Sequence, residues 1–168
     1  MLTLEQLHEI MPSTRAGRGN LAILHLQEAM TFCDINTPRR QAAFIGHIAF
    51  ESAELIGRPK SSLPRDPYET RGWIPMVGKD NYRRMKVFTG ADFLRNPDLI
   101  NTLKWAPWAA GYLWRREGGN RLADQWDLET IVHRFSFKIA ADDGERRMTY
   151  FNKAAKTLGA QTDLPQVS

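Results

Sequence analysis

The sequence predicts an α+β domain that is mostly α, on three observations. Apolar residues recur at helical spacing along most of the chain, and the starts and stops of those segments carry capping residues. The single stretch suited to β-structure, GWIPMVGKDNY, contains Pro75, which confines it to an edge or an irregular hairpin. With 168 residues, 42% of them apolar and 25% charged, the chain is one domain of ordinary size, large enough to bury a core. We expect residues 1–159 to form it and the tail AQTDLPQVS, 160–168, to be disordered.

The elements follow in order. Thr3 with Gln6 makes a capping box for a short helix carrying Leu4, Leu7 and Met11, which Pro12 ends. A second helix runs through LAILHLQEAMTFC. Thr37 and Pro38 read as N-cap and first residue of a third, because a threonine hydroxyl satisfies an orphan amide and proline has none to orphan. Gly57 and Pro59 read as its stop, giving a helix from about 38 to 56. Residues 57–72, dense in Pro, Ser, Gly and charge, read as a surface loop. Asn96-Pro97-Asp98 opens a short helix, and Pro107 opens another through WAAGYLWRRE, closed by Gly118 and Gly119. Asp127 caps LETIVHRF, where Leu128, Ile131, Val132 and Phe135 recur at i, i+3, i+4 and i+7. A last helix from near Gly144 to Leu158 turns Met148, Phe151, Ala155 and Leu158 inward.

Composition narrows the function classes. Cys33 is alone, so no internal disulfide and no cysteine metal site exist, and His8, His25, His47 and His133 lack ligand spacing. We expect neither a metal nor a cofactor. No window approaches a membrane span, and MLTLEQLHEI lacks the regions of a signal peptide, so the expectation is cytoplasmic synthesis with action at a cell wall after release or export. A formal charge of +4 suits anionic surfaces. The basic residues fall in pairs (39–40, 83–84, 115–116, 146–147) without a zinc-finger, RNP or basic-zipper pattern, which speaks against nucleic acid.

The third helix poses the sharpest question. In AAFIGHIAFESAEL, Glu51 shares a side with Phe44, His47, Ile48, Glu54 and Leu55. A carboxylate on an apolar face is either paired or held partly protonated, since burying an unpaired charge is costly. That is how a general acid is made; a carboxylate ion-paired for structure alone is the competing reading.

Residues 1–159 resemble the glycoside hydrolase family 19 domain of plant-type chitinases and many phage endolysins. The likeness rests on the order of several motifs: AAFxxxxxxESxEL at Ala42–Leu55, RGxIxxxGxxNY at Arg71–Tyr82 and NPxL at Asn96–Leu99. It continues in W-(K/R)-x-x-G-x-N-x-LAD-x-x-D-(F/L)-E-x-I at Trp114–Ile131, with one extra residue after Arg116, and in the ADR-led last helix at Ala141–Asp142 and Gly144–Arg147. The resemblance implies a lysozyme-like fold that cuts β-1,4 links between N-acetylhexosamine units, in peptidoglycan or chitin, with inversion. In such enzymes one carboxyl protonates the leaving oxygen and a second, about 6.5 to 9.5 Å away, activates water. On the family's pattern Glu51 is the acid, Glu69, in Tyr68-Glu69-Thr70-Arg71, the base, and Arg146 the guanidinium that stabilises buried Glu51. Asn81 matches a side chain that holds the attacking water, Trp73 is set to stack on a sugar, and Ser136 stands at a substrate-binding turn.

The departures from the family lie near the chemistry. Phe50 replaces the histidine before the acid, and His47 stands one turn earlier in place of glutamine. Ile74-Pro75-Met76-Val77 replaces I-Q-L-(T/S), and Ser136-Phe137-Lys138 replaces Asn-Gly-Gly, so that Phe137 would narrow the cleft. They open a second reading: a member that has lost catalysis and binds a glycan or a protein partner.

Overall fold

The structure, a computed structural model, describes residues 1–57, 66–136, 138–141 and 143–161. Within them run eight α-helices: α1 (Leu4–Ile10), α2 (Arg18–Phe32), α3 (Pro38–Glu51), α4 (Lys79–Thr89), α5 (Ala106–Arg116), α6 (Gly119–Asp124), α7 (Leu128–Phe135) and α8 (Asp143–Leu158). Two 3-10 turns, Pro12–Ala16 and Pro97–Asn101, join them. The β-structure among the described residues is one isolated antiparallel bridge between Arg71 and Met76. The class is therefore mostly α with a small irregular β element, as the sequence predicts. No helix among the described residues is long and apolar enough to cross a membrane.

Local chemistry accounts for the helix starts. Thr3 and Gln6 form the reciprocal capping box, Thr37 accepts from the Arg40 amide with Pro38 behind it, and Asp127 accepts from the Thr130 amide. Elsewhere the boundaries differ from expectation. Lys79 to Tyr82, expected as part of the β region, open α4 instead, with Gly78 at φ 86° turning the chain into it. Gly118 and Gly119 do not only end α5; Gly118, at φ 76°, is the N-cap of α6. α3 stops at Glu51, five residues before the expected 56, because the chain reverses there. Of the tail expected to be disordered, 160–168, residues 162–168 lie outside the described residues, whereas the Ala160 amide donates to the Ala155 carbonyl at 2.9 Å and the Gln161 carbonyl accepts a bond from Arg39 at 2.8 Å.

The core is built around α3, which is buried on all sides from Ala42 to Ala49. α8 lies along it, α6 packs on it, and α2 packs on α5. Gly46 sets the α3–α8 distance: a Cβ there would stand 2.8 Å from Phe151 Cδ1 and 2.9 Å from its Cα. Since the obstacle includes backbone, Gly46→Ala forces the helices apart. We expect it to cost about 1 to 3 kcal/mol, read as a lower urea midpoint at unchanged m-value. An unchanged midpoint would show that the helices can separate freely.

Trp114 is fully buried, stacked on Phe135 at 4.9 Å and edge-on to Phe44 at 5.3 Å, and its indole N–H donates to Asn120 at 3.0 Å. Asn120 in turn donates to the Cys33 carbonyl at 2.9 Å, and burial pushes the Cys33 thiol up to about 12.

The register of α8 also differs from expectation. Arg147, Phe151, Ala154 and Ala155 face the core, while Met148 is 42% exposed. Phe151 and Ala155 face inward as expected and Leu158 packs against the core, but the inward position expected of Met148 is taken by the charged side chain of Arg147.

Candidate active site

Glu51 is the last residue of α3 and is buried. Beyond it the chain reverses through three consecutive non-glycine residues in the left-handed region, Ala53 (φ 48°), Glu54 (φ 54°) and Leu55 (φ 66°). Such residues cost about 1 to 3 kcal/mol each, so the surroundings must hold them. Ser52 does so at the start, its hydroxyl donating to the Ile48 carbonyl at 2.6 Å and accepting from the Leu55 amide at 2.8 Å. The Glu54 amide returns to the Ala49 carbonyl at 2.8 Å. The Glu54 carboxylate is tied at both oxygens, accepting from the Ser13 amide and from the Tyr150 hydroxyl, each at 2.7 Å. Glu54 and Leu55, expected on the helix beside Glu51, thus belong to the turn that ends it.

Burial opposes the charge on Glu54, but the bonds from Ser13 and Tyr150 and the field of Lys153 outweigh it and hold this carboxyl below its ordinary value of 4.5. Burial first, and then Glu54, pushes the Tyr150 hydroxyl up to about 12. With a folded value below the unfolded one, the stabilisation is complete above pH 4.5 and is lost as pH falls through the lower folded value. Glu54→Gln should therefore remove part of the acid-induced fall in melting temperature. Parallel pH–melting curves for the two proteins would count against this contact.

The guanidinium against Glu51 belongs to Arg147, not to Arg146. Arg147 Nη1 donates to Glu51 Oε1 at 2.7 Å and to Ser136 Oγ at 3.0 Å, while Nη2 reaches the Lys138 carbonyl at 3.4 Å and Asp143 at 3.5 Å. The two paired side chains are 4% and 2% exposed. Arg146 stays on the surface with its Cζ 5.3 Å from the Phe50 ring centre, and Arg147 Cζ lies 4.0 Å from the same centre. Phe50 thus serves as an aromatic face for both cations. Arg146 is expected there on the family's motif, but on α8 it is Arg147 that shares the inward face with Phe151, Ala154 and Ala155 and so reaches the carboxylate of Glu51.

The other expected site residues divide. Ser136, at the end of α7, joins the Glu51–Arg147 group through its hydroxyl. His47 is buried among aromatic rings, 6.0 Å from Phe135 and 6.5 Å from both Phe151 and Trp114. Trp73 is no sugar platform. It is 2% exposed, because the bridge between Arg71 and Met76 folds Trp73, Ile74 and Met76 inward together. Phe137 lies outside the described residues.

Glu69 sits on a segment organised by Arg71. Arg71 donates to the Pro67 carbonyl at 2.8 Å and to Asp98 at 2.9 Å, and Tyr82 donates to the Glu69 carbonyl at 2.7 Å. The Glu69 carboxylate stands 3.7 Å from Arg71 Nη2 with its side chain 27% exposed. Its backbone is pinned and its acid group reaches solvent.

Asn81 is committed at both ends of its amide. It donates to the Val77 carbonyl at 2.8 Å and accepts from Arg116 at 2.7 Å. Arg116 precedes the extra residue of the Trp114–Ile131 motif, and its part in the site was not legible in the pattern, nor were those of Arg147, Glu54 and Tyr150. For Arg147 a signal existed: 147, 151, 154 and 158 fit a helical face as well as 148, 151, 155 and 158.

No protein-family model matches the sequence. Among solved structures, a bacterial family 19 chitinase superposes with a TM-score of 0.74 at 18% identity, covering 97% of each chain. Chitinase C from Streptomyces griseus gives 0.72 at 17% identity, over 97% of this chain and 78% of its own. The chain has the family 19 chitinase fold. The class IV family 19 chitinase from Zea mays shares that fold at a TM-score of 0.67 and 17% identity, over 85% of this chain and 82% of that one. Within the family 19 chitinase fold, the chain carries a buried carboxylate at the end of its central helix, locked by an arginine from the last.

Proposed function

We propose that the chain is a glycoside hydrolase that cuts β-1,4 links between N-acetylhexosamine units by inversion, with peptidoglycan its first substrate and chitin its second. The observation that carries this reading is the place of Glu51, buried at the end of the central helix of a chitinase fold. Glu51 gives its proton to the glycosidic oxygen as the C1–O bond breaks. Glu69 takes a proton from water as that water's oxygen bonds C1 from the opposite face. Arg147 and Ser136 hold the acid, and Asn81 borders the water once Arg116 releases its amide oxygen. The charge of +4 favours an anionic wall over neutral chitin.

A second reading has specific support. Asn81 is engaged at both ends of its amide and Trp73 is buried, which suits a member that has lost turnover and binds a glycan or a protein partner. Turbidity of a cell-wall suspension and release of sugars from chitin oligomers, followed with wild type and Glu51→Gln, separate the two. Hydrolysis by wild type alone is expected; wild type inert on both substrates would leave only the binding reading.

A further inference from the structure

Beyond Asn81, α4 presents Arg84 and Phe88 at i+3 and i+7, on the same face. There α4 and α5 enclose a surface groove of about 610 Å³. Its floor is aromatic: Phe88 and Tyr112 meet with ring centres 4.9 Å apart, and Arg116 Cζ lies 5.5 Å from the Tyr112 ring centre. Val87, on its lip, is 83% exposed. Its wall is cationic. Arg83 and Arg84 are both exposed, and the one carboxylate in the lining, Asp80, is bound to Arg83. Among the described residues, Arg84 has no carboxylate partner.

Phe88 is shared with a second groove of about 460 Å³ that passes Phe32 and Trp108 and reaches Lys104. Phe32 is 54% exposed and lies 5.3 Å from Phe88. The rings thus continue from one groove into the next, with Arg83 and Arg84 on the first and Lys104, together with His25 and Glu28, on the second. The first begins beside the candidate site, because Arg116, over Tyr112, also donates to Asn81.

We propose that the α4–α5 groove is a secondary binding site for an anionic glycan, a strand of N-acetylhexosamines bearing carboxylates. Tyr112 and Phe88 provide the apolar floor on which sugar C–H faces rest, and Arg83 and Arg84 take the carboxylates by charge-assisted bonds. A guanidinium matches a carboxylate with two parallel donors, so the groove distinguishes an acidic strand from a neutral one. The inference rests on the reading of the protein as a wall-glycan hydrolase and names how that substrate is held beyond the cleft.

The experiment is co-sedimentation of the full chain, in its Glu51→Gln form, with purified peptidoglycan and separately with neutral chitin beads. The probe variant adds Arg83→Glu and Arg84→Glu, both on the exposed face of α4, with circular dichroism confirming the fold. We expect salt-sensitive retention on peptidoglycan that weakens about tenfold or more in this variant, with retention on chitin unchanged. Equal retention of the two proteins on peptidoglycan, or an equal loss on chitin, overturns the proposal. Self-association of the parent that the variant abolishes gives the groove to a second copy. Tighter, Arg-dependent binding of single-stranded DNA than of peptidoglycan gives it to nucleic acid. Retention is read without turnover, so an inert wild type overturns the hydrolase reading alone. A lytic wild type beside an unaffected variant overturns the groove alone.

Discussion

Glu51→Gln is expected to lower the rate of cell-wall and oligomer hydrolysis by about 100- to 10,000-fold, the range attached to a positioned proton donor. Glutamine is close to isosteric and keeps a carbonyl oxygen where Arg147 now donates at 2.7 Å, but it has no transferable proton. Arg147 loses an anionic partner, yet Ser136, the Lys138 carbonyl and Asp143 remain around it, so the fold should persist with a reduced melting temperature. Steady-state rates with far-UV circular dichroism on the same preparations make the check. A folded variant as fast as wild type would remove Glu51 from the acid role and with it the proposed mechanism.

Arg147→Ala is expected to cost about 3 to 5 kcal/mol, because it removes the guanidinium that donates to the buried Glu51 carboxylate at 2.7 Å. The informative comparison is Arg146→Ala. Its guanidinium is exposed and lies over the Phe50 ring, a contact of about 0.5 to 1 kcal/mol. Arg147→Lys should recover only part of the loss, since an ammonium cannot serve Glu51, Ser136 and the Lys138 carbonyl with the fork of a guanidinium. Urea unfolding of the three variants measures the differences. Equal costs for the two alanine variants would mean that the buried pair contributes nothing particular to stability.

How legible these features were depends on how far their causes lie along the chain. The capping box at Thr3, the Thr37-Pro38 start and the Asp127 cap were readable because each cause lies within three residues of its effect. The early end of α3 was not. Ser52 braces the left-handed run of Ala53, Glu54 and Leu55 locally, but the Glu54 carboxylate in it is held by Ser13 and by Tyr150, the latter 96 residues away. α4 was obscured because Pro75 and the aromatic residues before it suggested an irregular strand, and the bridge they do form closes by Met76.

The sequence by itself determined the mostly helical class, the start of each capped helix and the presence of an anomalous carboxylate on an apolar helix face. Those are consequences of short-range hydrogen bonding and of apolar periodicity, which any chain with these residues must obey. Only the tertiary structure decided what Glu51 meets. Apolar spacing on the last helix admits two faces one residue apart, and hydrophobicity alone prefers the one with Met148. The carboxylate at the end of α3 reverses that preference, because a buried ion pair with three further polar contacts is tolerable where a buried unpaired charge is not. The same long-range logic gave Asn81 to Arg116, 35 residues away: the pairing depends on which surfaces the fold brings together, and no short window of the sequence contains both partners.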